Sequence, residues 1–148
     1  MKKVIISALI SISLLGLAGC SHTANAKVSA KSHQTKNYDK MVENCISENS
    51  KTSSGAAEYN AIFVGCHEYG VEEMDKEILR LSQKITQDFS GYEKETFNEA
   101  QKSWKNYREK QCHFESLSVG TPQLGVCLFN MTKSRLSELQ TLLQNSSE

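Results

Sequence analysis

Five cysteines are the residues of this 148-residue chain whose chemistry says most about it. One of them, Cys20, follows an apolar stretch near the start, and four are spread over the rest of the chain: Cys45, Cys66, Cys112 and Cys127. A cysteine thiol can be modified, can bind a metal as a thiolate, or can pair in a disulfide. An odd number of cysteines in an exported chain leaves one outside the intramolecular pairs. The surroundings of Cys20 therefore decide how the other four are interpreted.

The first 19 residues have the layout of a secretory signal peptide. Two lysines precede an apolar stretch from Val4 to Leu17, and small residues lead to Cys20. A basic start, an apolar run and small residues at the cut are typical of exported chains. The ending Leu17-Ala18-Gly19-Cys20 resembles the lipobox of bacterial lipoproteins. We therefore interpret residues 1–19 as a lipoprotein signal peptide.

The lipobox resemblance implies that the Cys20 thiol receives a diacylglycerol and that cleavage makes Cys20 the first residue of the mature chain. Ser21 follows it rather than an aspartate, which resembles the lipoproteins that double-membrane bacteria sort to the outer membrane. No other stretch approaches the roughly 18 apolar residues that a membrane span requires. We expect an exported protein anchored to a lipid bilayer through acylated Cys20, in the outer membrane and facing the periplasm. An ordinary signal peptide with a chance cysteine is the alternative.

The mature chain has the size of one small domain and a nearly balanced charge. Residues 1–19 carry two of the 17 basic residues and none of the 17 acidic ones, so 15 basic and 17 acidic residues remain. Nucleic-acid binding calls for a clear basic excess, so we expect no nucleic acid as a partner. Residues 20–37 are mostly small and polar, and we expect the lipidated cysteine and a flexible tether there.

Residues 38–148 show helical spacing of apolar side chains throughout, with a single proline. This pattern predicts an all-α domain, a small bundle of about four to five helices. Gly70 is expected to end or kink the second helix. Ser90 and Glu93 match a capping box that opens the fourth helix, and Thr121-Pro122 predicts the start of the fifth.

With Cys20 acylated, four cysteines remain, and they allow three pairings. We expect the disulfides Cys45–Cys66 and Cys112–Cys127, because each joins the end of one predicted helix to the face of the next. Closing loops of this size is worth roughly 3 kcal/mol each in the chain-entropy model. A metal site is the alternative, since His67 and His113 directly follow two of these cysteines. The C-x₂-C and H-x₃-H spacings of zinc sites are absent from the sequence, so we expect neither a metal nor another cofactor.

The segment from Ala100 to Cys112, AQKSWKNYREKQC, resembles the A-Q-x-x-W-x-x-[YF]-R-[DE]-x-x-C signature of the lysozyme inhibitor LprI-like family. Thr132-Lys133-Ser134-Arg135-Leu136 is similar to the T-x-x-R-[LI] step of that family. The likeness extends from about Cys45 to Leu143. It implies a lysozyme-inhibitor-like domain over residues 38–148, helical, held by disulfides, exported and often lipid-anchored. The family name implies inhibition of a lysozyme.

Four residues of the first segment lie on one stripe of a helix, at i, i+3, i+7 and i+11: Gln101, Trp104, Arg108 and Cys112. Two further signature residues lie in the last helix: Thr132 and Arg135. We expect Trp104 to pack in the core and Arg108 to pair at its edge with a carboxylate such as Asp75 or Glu72. These residues are interpreted as structural rather than as a binding surface.

If the protein inhibits lysozyme, one of two predicted loops is expected to contact the enzyme. The alternative is that both loops are plain connections between helices. The first is the connection Glu115–Thr121, which the Cys112–Cys127 disulfide would clamp and so pre-order for binding. Its centre is expected to carry the contact: Ser116, Leu117 and Ser118. The second is Glu48–Ser53, which carries one cation. Lysozyme-type enzymes work with two carboxylates in a cleft, and such a loop would fill or block that cleft.

Three functions remain open at the level of sequence. The first is an envelope lipoprotein that binds and inhibits a lysozyme or another peptidoglycan hydrolase. The second is a non-inhibitory structural or assembly lipoprotein that binds another envelope component. The third, a redox or metal-binding protein, requires free thiols or bound zinc. We do not expect an enzyme, since the sequence has no supported Ser-His-Asp set, H-E-x-x-H motif or phosphate-binding glycine loop.

Overall fold

The computed structural model describes residues 36–145, and within them it shows four α-helices, one short 3₁₀ turn and no strand. The helices are α1 (Tyr38–Asn49), α2 (Ala56–Ile85), α3 (Gly91–Val119) and α4 (Thr121–Asn145). The 3₁₀ turn, Ser50–Thr52, follows α1. The predicted all-α fold is confirmed. The predicted signal peptide, Cys20 and all but the last two residues of the predicted tether lie outside the described residues.

The starts of the helices follow from local hydrogen bonding. The Asn37 side chain accepts a hydrogen bond from the Lys40 N–H at 3.0 Å and caps α1. Ser90 and Glu93 form the predicted capping box of α3, in which each side chain bonds the backbone N–H of the other residue. The Ser90 hydroxyl donates to the Glu93 carboxylate and holds the pKa of that carboxyl below its ordinary value. α4 begins at Thr121, where the Thr-Pro step predicts a helix start.

Gly70 does not end the second helix, so the prediction of a helix end at this residue is wrong. α2 runs through it without interruption from Ala56 to Ile85. Gly70 is buried, and a Cβ built on it would lie 2.8 Å from both Phe129 Cε2 and Val42 Cγ2. Glycine inside a helix costs about 1 kcal/mol relative to alanine. The close approach of α1 and α4 to α2 at this point offsets that cost.

α2 and α4 lie side by side and run in the same direction. Near the start of α4, a Cβ built on Gly125 would lie 3.1 Å from the His67 Cβ. One turn further along α4, the Phe129 ring lies against Gly70, and its centroid is 5.6 Å from that of the His67 ring. The contacted residues of α2 advance as those of α4 advance, as they must between parallel helices. This pair forms the central layer of the bundle.

α1 and α3 pack on opposite sides of the α2–α4 pair. α1 is joined to α2 by the Cys45–Cys66 disulfide, with a Cα–Cα distance of 5.7 Å, and by the contact of Val42 with Gly70. α3 reaches α2 through the hydrogen bonds of Arg108 to Asp75. Gly70 and Asp75 are five residues apart, which places them about 140° apart around α2. The predicted pairing of Cys45 with Cys66 is confirmed.

The core is built mainly by α2 and α4. Met74 on α2 and Leu139 on α4 are almost completely buried. α3 contributes only Arg108 and Cys112 as buried residues, so it is attached along one narrow stripe. Burial of a large aliphatic side chain stabilises a fold by about 1.5–3 kcal/mol. Because α3 buries so little apolar surface, its attachment depends strongly on polar contacts and on a disulfide.

Candidate functional site

The residues that carry the sequence resemblance meet in one network between α2, α3 and α4, which we call the Trp104 network: Gln101, Trp104, Arg108, Thr132 and Arg135. Trp104 is partly buried and packs against the core. The guanidinium of Arg108 lies 5.0 Å from the centroid of the Trp104 ring, and that of Arg135 lies 5.7 Å from it. A cation over an indole ring contributes about 0.5–2 kcal/mol, with the larger values where water is excluded. Trp104 therefore interacts with one arginine of its own helix and one of α4.

Arg108 ties three helices together from a nearly buried position, with 3% of its surface exposed. Its two terminal nitrogens donate to both oxygens of the Asp75 carboxylate, at 2.8 and 3.1 Å. One of them also donates to the Thr132 hydroxyl at 2.8 Å. The sequence predicts that Arg108 pairs with Asp75 or Glu72, and Asp75 is the residue that pairs with it. Two-point pairing of this kind fixes the relative orientation of the two groups as well as supplying attraction.

Gln101 connects the other end of the same stripe to both central helices. Its amide nitrogen donates to the Ser82 hydroxyl of α2 at 3.0 Å. Its amide oxygen accepts from the Arg135 side chain of α4, at 2.8 Å from Nε and 2.5 Å from the terminal nitrogen. Arg135 also pairs with Glu138 at 2.8 Å. The Trp104 network thus holds α3 to α2 and to α4 where little apolar surface does so.

The corner between α3 and α4 is not the loop that the sequence analysis predicts. Ser116, Leu117 and Ser118 form the last turn of α3, which continues to Val119, and Gly120 alone connects the two helices. Gly120 has a φ of 113°, a conformation that favours glycine, and its N–H donates to the Ser116 carbonyl at 2.9 Å. The prediction of a loop over Glu115–Thr121 is therefore wrong, because one glycine suffices for the turn.

The predicted Cys112–Cys127 disulfide is confirmed and closes this corner, with a Cα–Cα distance of 5.4 Å. Both cysteines are buried, and the Met131 sulfur lies 3.6 Å from the Cys112 sulfur and 3.9 Å from that of Cys127. The last turns of α3 are therefore fixed to the first turns of α4 by a covalent bond and by the single-residue connection. The relative placement of α3 and α4 is thus constrained at this corner.

Large apolar side chains project from this rigid corner into solvent. Leu117 is 74% exposed, Val119 73% and Phe114 64%. Exposed apolar groups that cluster on a fixed surface are typical of interaction sites. The corner therefore presents exposed apolar side chains, whereas the Trp104 network contacts α2 and α4 on the other side of α3.

The match of the chain to a family of known proteins covers both of these features. Residues 47–139 match the family model described as lysozyme inhibitor LprI. This chain belongs to that family. The match includes every residue of the Trp104 network and the Cys112–Cys127 corner, and it begins two residues after Cys45. No curated protein and no solved structure shows a significant match to the chain.

Three of the four residues in the two Cys-His steps have other partners in this LprI-family domain. Cys66 and Cys112 are in disulfides, and the Nδ1 of His67 lies 2.8 Å from the Phe63 carbonyl oxygen. Within residues 36–145, no group of three or more His, Cys, Asp or Glu side chains is placed to hold a metal ion. Over the same residues, no helix combines the length and the apolar character needed to cross a bilayer.

The second predicted contact loop, Glu48–Ser53, is the end of α1 followed by the 3₁₀ turn. Lys51, its one cation, is exposed, and no large apolar side chain accompanies it. Asn49 donates to the Cys45 carbonyl at 2.8 Å and so fixes the end of α1 beside the first disulfide. Its surface is polar, and the α3–α4 corner is the more apolar of the two.

Lys36, the first described residue, forms an ion pair with the middle of α2. Its ammonium group pairs with the Glu73 carboxylate, and Lys76 pairs with the same group at 2.6 Å. The hydrogen bond from Lys36, followed by that from Lys76, lowers the pKa of Glu73 to about 2. The Lys36 ammonium also lies 5.8 Å from the centroid of the Tyr38 ring, and Tyr38 is buried. The polypeptide therefore reaches the domain on the α1 side.

Sequence reasoning missed two exposed aromatic residues of α3, Tyr107 and Phe114. Tyr107 belongs to the segment that resembles the family signature, and Phe114 lies two residues after Cys112. Helical spacing is the signal that could have found this surface. Phe114 and Leu117 lie six and nine residues after Arg108, well off the stripe of α3 that faces the core. Large apolar residues off the core stripe indicate a surface patch.

Proposed function

We propose that this chain is an envelope lipoprotein that binds a lysozyme or another peptidoglycan hydrolase and inhibits it. The observation that carries the proposal is the match of residues 47–139 to the lysozyme inhibitor LprI family. The intact Trp104 network supports it, because the residues of the family signature are joined here in one set of contacts. The chain is proposed to act by occupying the enzyme rather than by catalysis.

The described domain has the properties that a proteinaceous inhibitor needs. Two disulfides and a one-residue corner hold its surface in place, so little conformational entropy is lost when a partner binds. Leu117 and Phe114 offer apolar surface that is already exposed in the free protein. A hydrolase cleft must exclude its polymeric substrate when it is blocked, and a rigid projection suits that role.

The proposal includes a lipid anchor at Cys20 and a location in the outer membrane, facing the periplasm. The lipobox-like residues before Cys20 and the serine after it support this location. The two disulfides of the described domain also support export, since such bonds persist in oxidising compartments. Mass spectrometry of the protein isolated from membranes tests the anchor. We expect a mature chain that begins with acylated Cys20, whereas an unmodified chain with residues 1–19 attached would refute it.

A binding experiment tests the partner. The protein starting at Ser21 retains all of residues 36–145 and is immobilised for capture of purified animal lysozymes and bacterial peptidoglycan hydrolases added one at a time. We expect one class of these enzymes to be retained and its activity on cell walls to fall. A non-inhibitory assembly lipoprotein would retain none of them and would instead retain another component of a solubilised envelope.

A further inference from the structure

One face of α3 points away from the rest of the described domain. Its large side chains follow helical spacing at i, i+3, i+7 and i+10, and we call this set the outer face of α3: Tyr107, Lys110, Phe114 and Leu117. Leu117 lies nine residues after Arg108, which places it about 180° around the helix from that buried arginine. The outer face spans about 15 Å along α3 at 1.5 Å per residue.

We propose that the outer face of α3 is the surface that enters the acidic substrate cleft of the hydrolase that this chain inhibits. The proposal rests on the proposed function and names the surface that performs it. The outer face replaces Ser116–Ser118 as the proposed contact with the enzyme. It includes Leu117 but leaves out Ser116, which is half-buried.

Apolar exposure is the first argument for this surface. Tyr107, Phe114 and Leu117 are 57%, 64% and 74% exposed, so more than half of the surface of each residue is accessible to water in the free protein. Aromatic residues are enriched in the buried centres of protein interfaces, and a few such residues supply most of the binding energy. Two aromatic rings and a leucine on three helical turns fit that composition.

Charge is the second argument, and it selects the partner. Lys110 lies in the middle of the outer face and forms no ion pair with any of the residues 36–145. The two carboxylates of residues 106–118 are directed elsewhere: Glu109 lies 3.9 Å from an Arg108 nitrogen, and Glu115 accepts from Gln111 and Gln123. A lysine among apolar groups complements a cleft that holds two catalytic carboxylates.

Rigidity is the third argument. The outer face ends at the corner that the Cys112–Cys127 disulfide and Gly120 fix, and the Trp104 network holds the preceding turns to α2 and α4. The backbone that presents Phe114 and Leu117 is therefore ordered before any partner arrives. Binding then costs mainly the loss of side-chain freedom.

Placement in the bundle favours a soluble enzyme over the bilayer as the occupant. The chain enters the domain at Lys36 on the α1 side, and α3 lies on the opposite side of the α2–α4 pair. A domain tethered through its α1 side leaves α3 accessible to proteins in solution. The experiment must therefore distinguish binding of the outer face to an enzyme from binding of the same face to a lipid surface.

Two substitutions with matched controls test the surface, using the protein from Ser21 onward and the hydrolase that the unsubstituted protein retains. Leu117→Asp places a carboxylate opposite the acidic cleft, and we expect the Kd to rise at least about tenfold. Leu79→Asp makes the same change on α2 at a residue that is 60% exposed, and we expect less than a twofold change. Because both leucines are exposed, neither carboxylate is buried and helicity by circular dichroism should be unchanged.

Lys110→Glu gives an independent readout of the charge. We expect a rise in Kd of about five- to tenfold that shrinks at high salt, because the lost attraction is electrostatic. Lys94→Glu reverses a charge near the start of the same helix, about 24 Å away at 1.5 Å per residue, and should leave Kd unchanged. If both outer-face variants bind as tightly as the unsubstituted protein, the surface is wrong although the proposed function stands.

Two further outcomes separate the remaining explanations. If the unsubstituted protein binds no hydrolase, the proposed function fails and the assignment of a hydrolase to this face fails with it. If it binds phosphatidylglycerol vesicles, and Leu117→Asp abolishes that binding while hydrolase binding persists, the outer face is a membrane contact and the proposal is overturned. We expect no vesicle binding by the unacylated protein and loss of hydrolase binding in the variant.

Discussion

The Arg108 guanidinium donates to both oxygens of the Asp75 carboxylate, at 2.8 and 3.1 Å, across the interface between α3 and α2. Arg108 is 3% exposed, so this pair is largely shielded from water on the arginine side. The Trp104 ring covers the same guanidinium at 5.0 Å. α3 buries few apolar side chains, and this pairing is therefore one of the main contacts that hold α3 to α2 and orient its outer face.

Replacement of Arg108 should destabilise the fold strongly. Arg108→Ala removes the bonds to Asp75 and Thr132 together with the contact to Trp104, and we expect a loss of about 2–4 kcal/mol in the free energy of unfolding by urea. Arg80→Ala is the matched control, because Arg80 is exposed and pairs with Glu77 within one turn of α2. That change should cost less than about 1 kcal/mol. Equal losses in the two variants would show that the Arg108 contacts contribute little.

Glycine substitutions within α2 should have opposite effects at two positions. Gly70→Ala places a methyl group 2.8 Å from Phe129 and Val42, and we expect a loss of about 1–3 kcal/mol from overpacking. Gly65 lies in the same helix, and a methyl group placed on it meets no atom within 4 Å. We therefore expect Gly65→Ala to raise the free energy of unfolding by up to about 1 kcal/mol. Thermal unfolding of the two variants measures both. A stabilised Gly70→Ala protein would mean that α1 and α4 do not approach α2 as closely as described.

Loss of the corner disulfide should lower stability and also weaken binding. The paired change Cys112→Ser with Cys127→Ser opens a loop of sequence separation 15, and we expect a loss of roughly 3 kcal/mol. The paired change at Cys45 and Cys66 should cost a similar amount, because that separation is 21. Hydrolase binding should weaken more in the first variant, because its disulfide fixes the turns of α3 that carry Phe114 and Leu117. If the two variants bind equally well at a temperature where both are folded, the corner does not order the contact surface.

Acid should weaken the attachment of the chain at Lys36. The pKa of Glu73 falls from 4.5 to about 2 because Lys36 and Lys76 donate to its carboxylate. A depressed carboxyl pKa contributes stability above the unfolded value of about 4.5, and that contribution is lost as the pH falls from there through about 2. The melting temperature of Glu73→Gln should therefore lie below that of the unsubstituted protein at pH 6 and converge with it near pH 2.

The size of this acid effect should be modest, since Glu73 is in contact with solvent and its ion pairs are screened. High salt at pH 6 should reduce the difference between Glu73→Gln and the unsubstituted protein. A difference that grows as the pH falls would contradict the assignment of Lys36 and Lys76 as its cause.

Local signals in the sequence predicted much of this fold. The capping residues Ser90 and Glu93 and the Thr121-Pro122 step mark helix starts that the structure confirms, because such signals act within one turn of the chain. The two disulfides followed from cysteine number and helix order. The sequence also predicts that Arg108 pairs with a carboxylate such as Asp75 or Glu72, and the structure pairs it with Asp75.

The misses concern tertiary contacts that a local pattern does not contain. A glycine at position 70 predicts a helix end, but its role in the structure is to admit Phe129 and Val42, which are distant in sequence. Ser116–Ser118 looked like a loop because its small residues are common in turns, yet Gly120 alone reverses the chain and α3 continues to Val119. The sequence therefore predicts a contact in a loop, whereas the exposed apolar side chains lie on a helix.

The rate of cell-wall lysis measures the central claim most directly. A fixed amount of the hydrolase is mixed with increasing amounts of the protein from Ser21 onward, and the fall in turbidity of a cell-wall suspension is followed. We predict that lysis slows in proportion to added protein and stops near one protein molecule per enzyme molecule, with Leu117→Asp much less effective than Leu79→Asp. An unchanged rate of lysis in a large excess of folded, disulfide-bonded protein, across animal and bacterial hydrolases, would contradict the account.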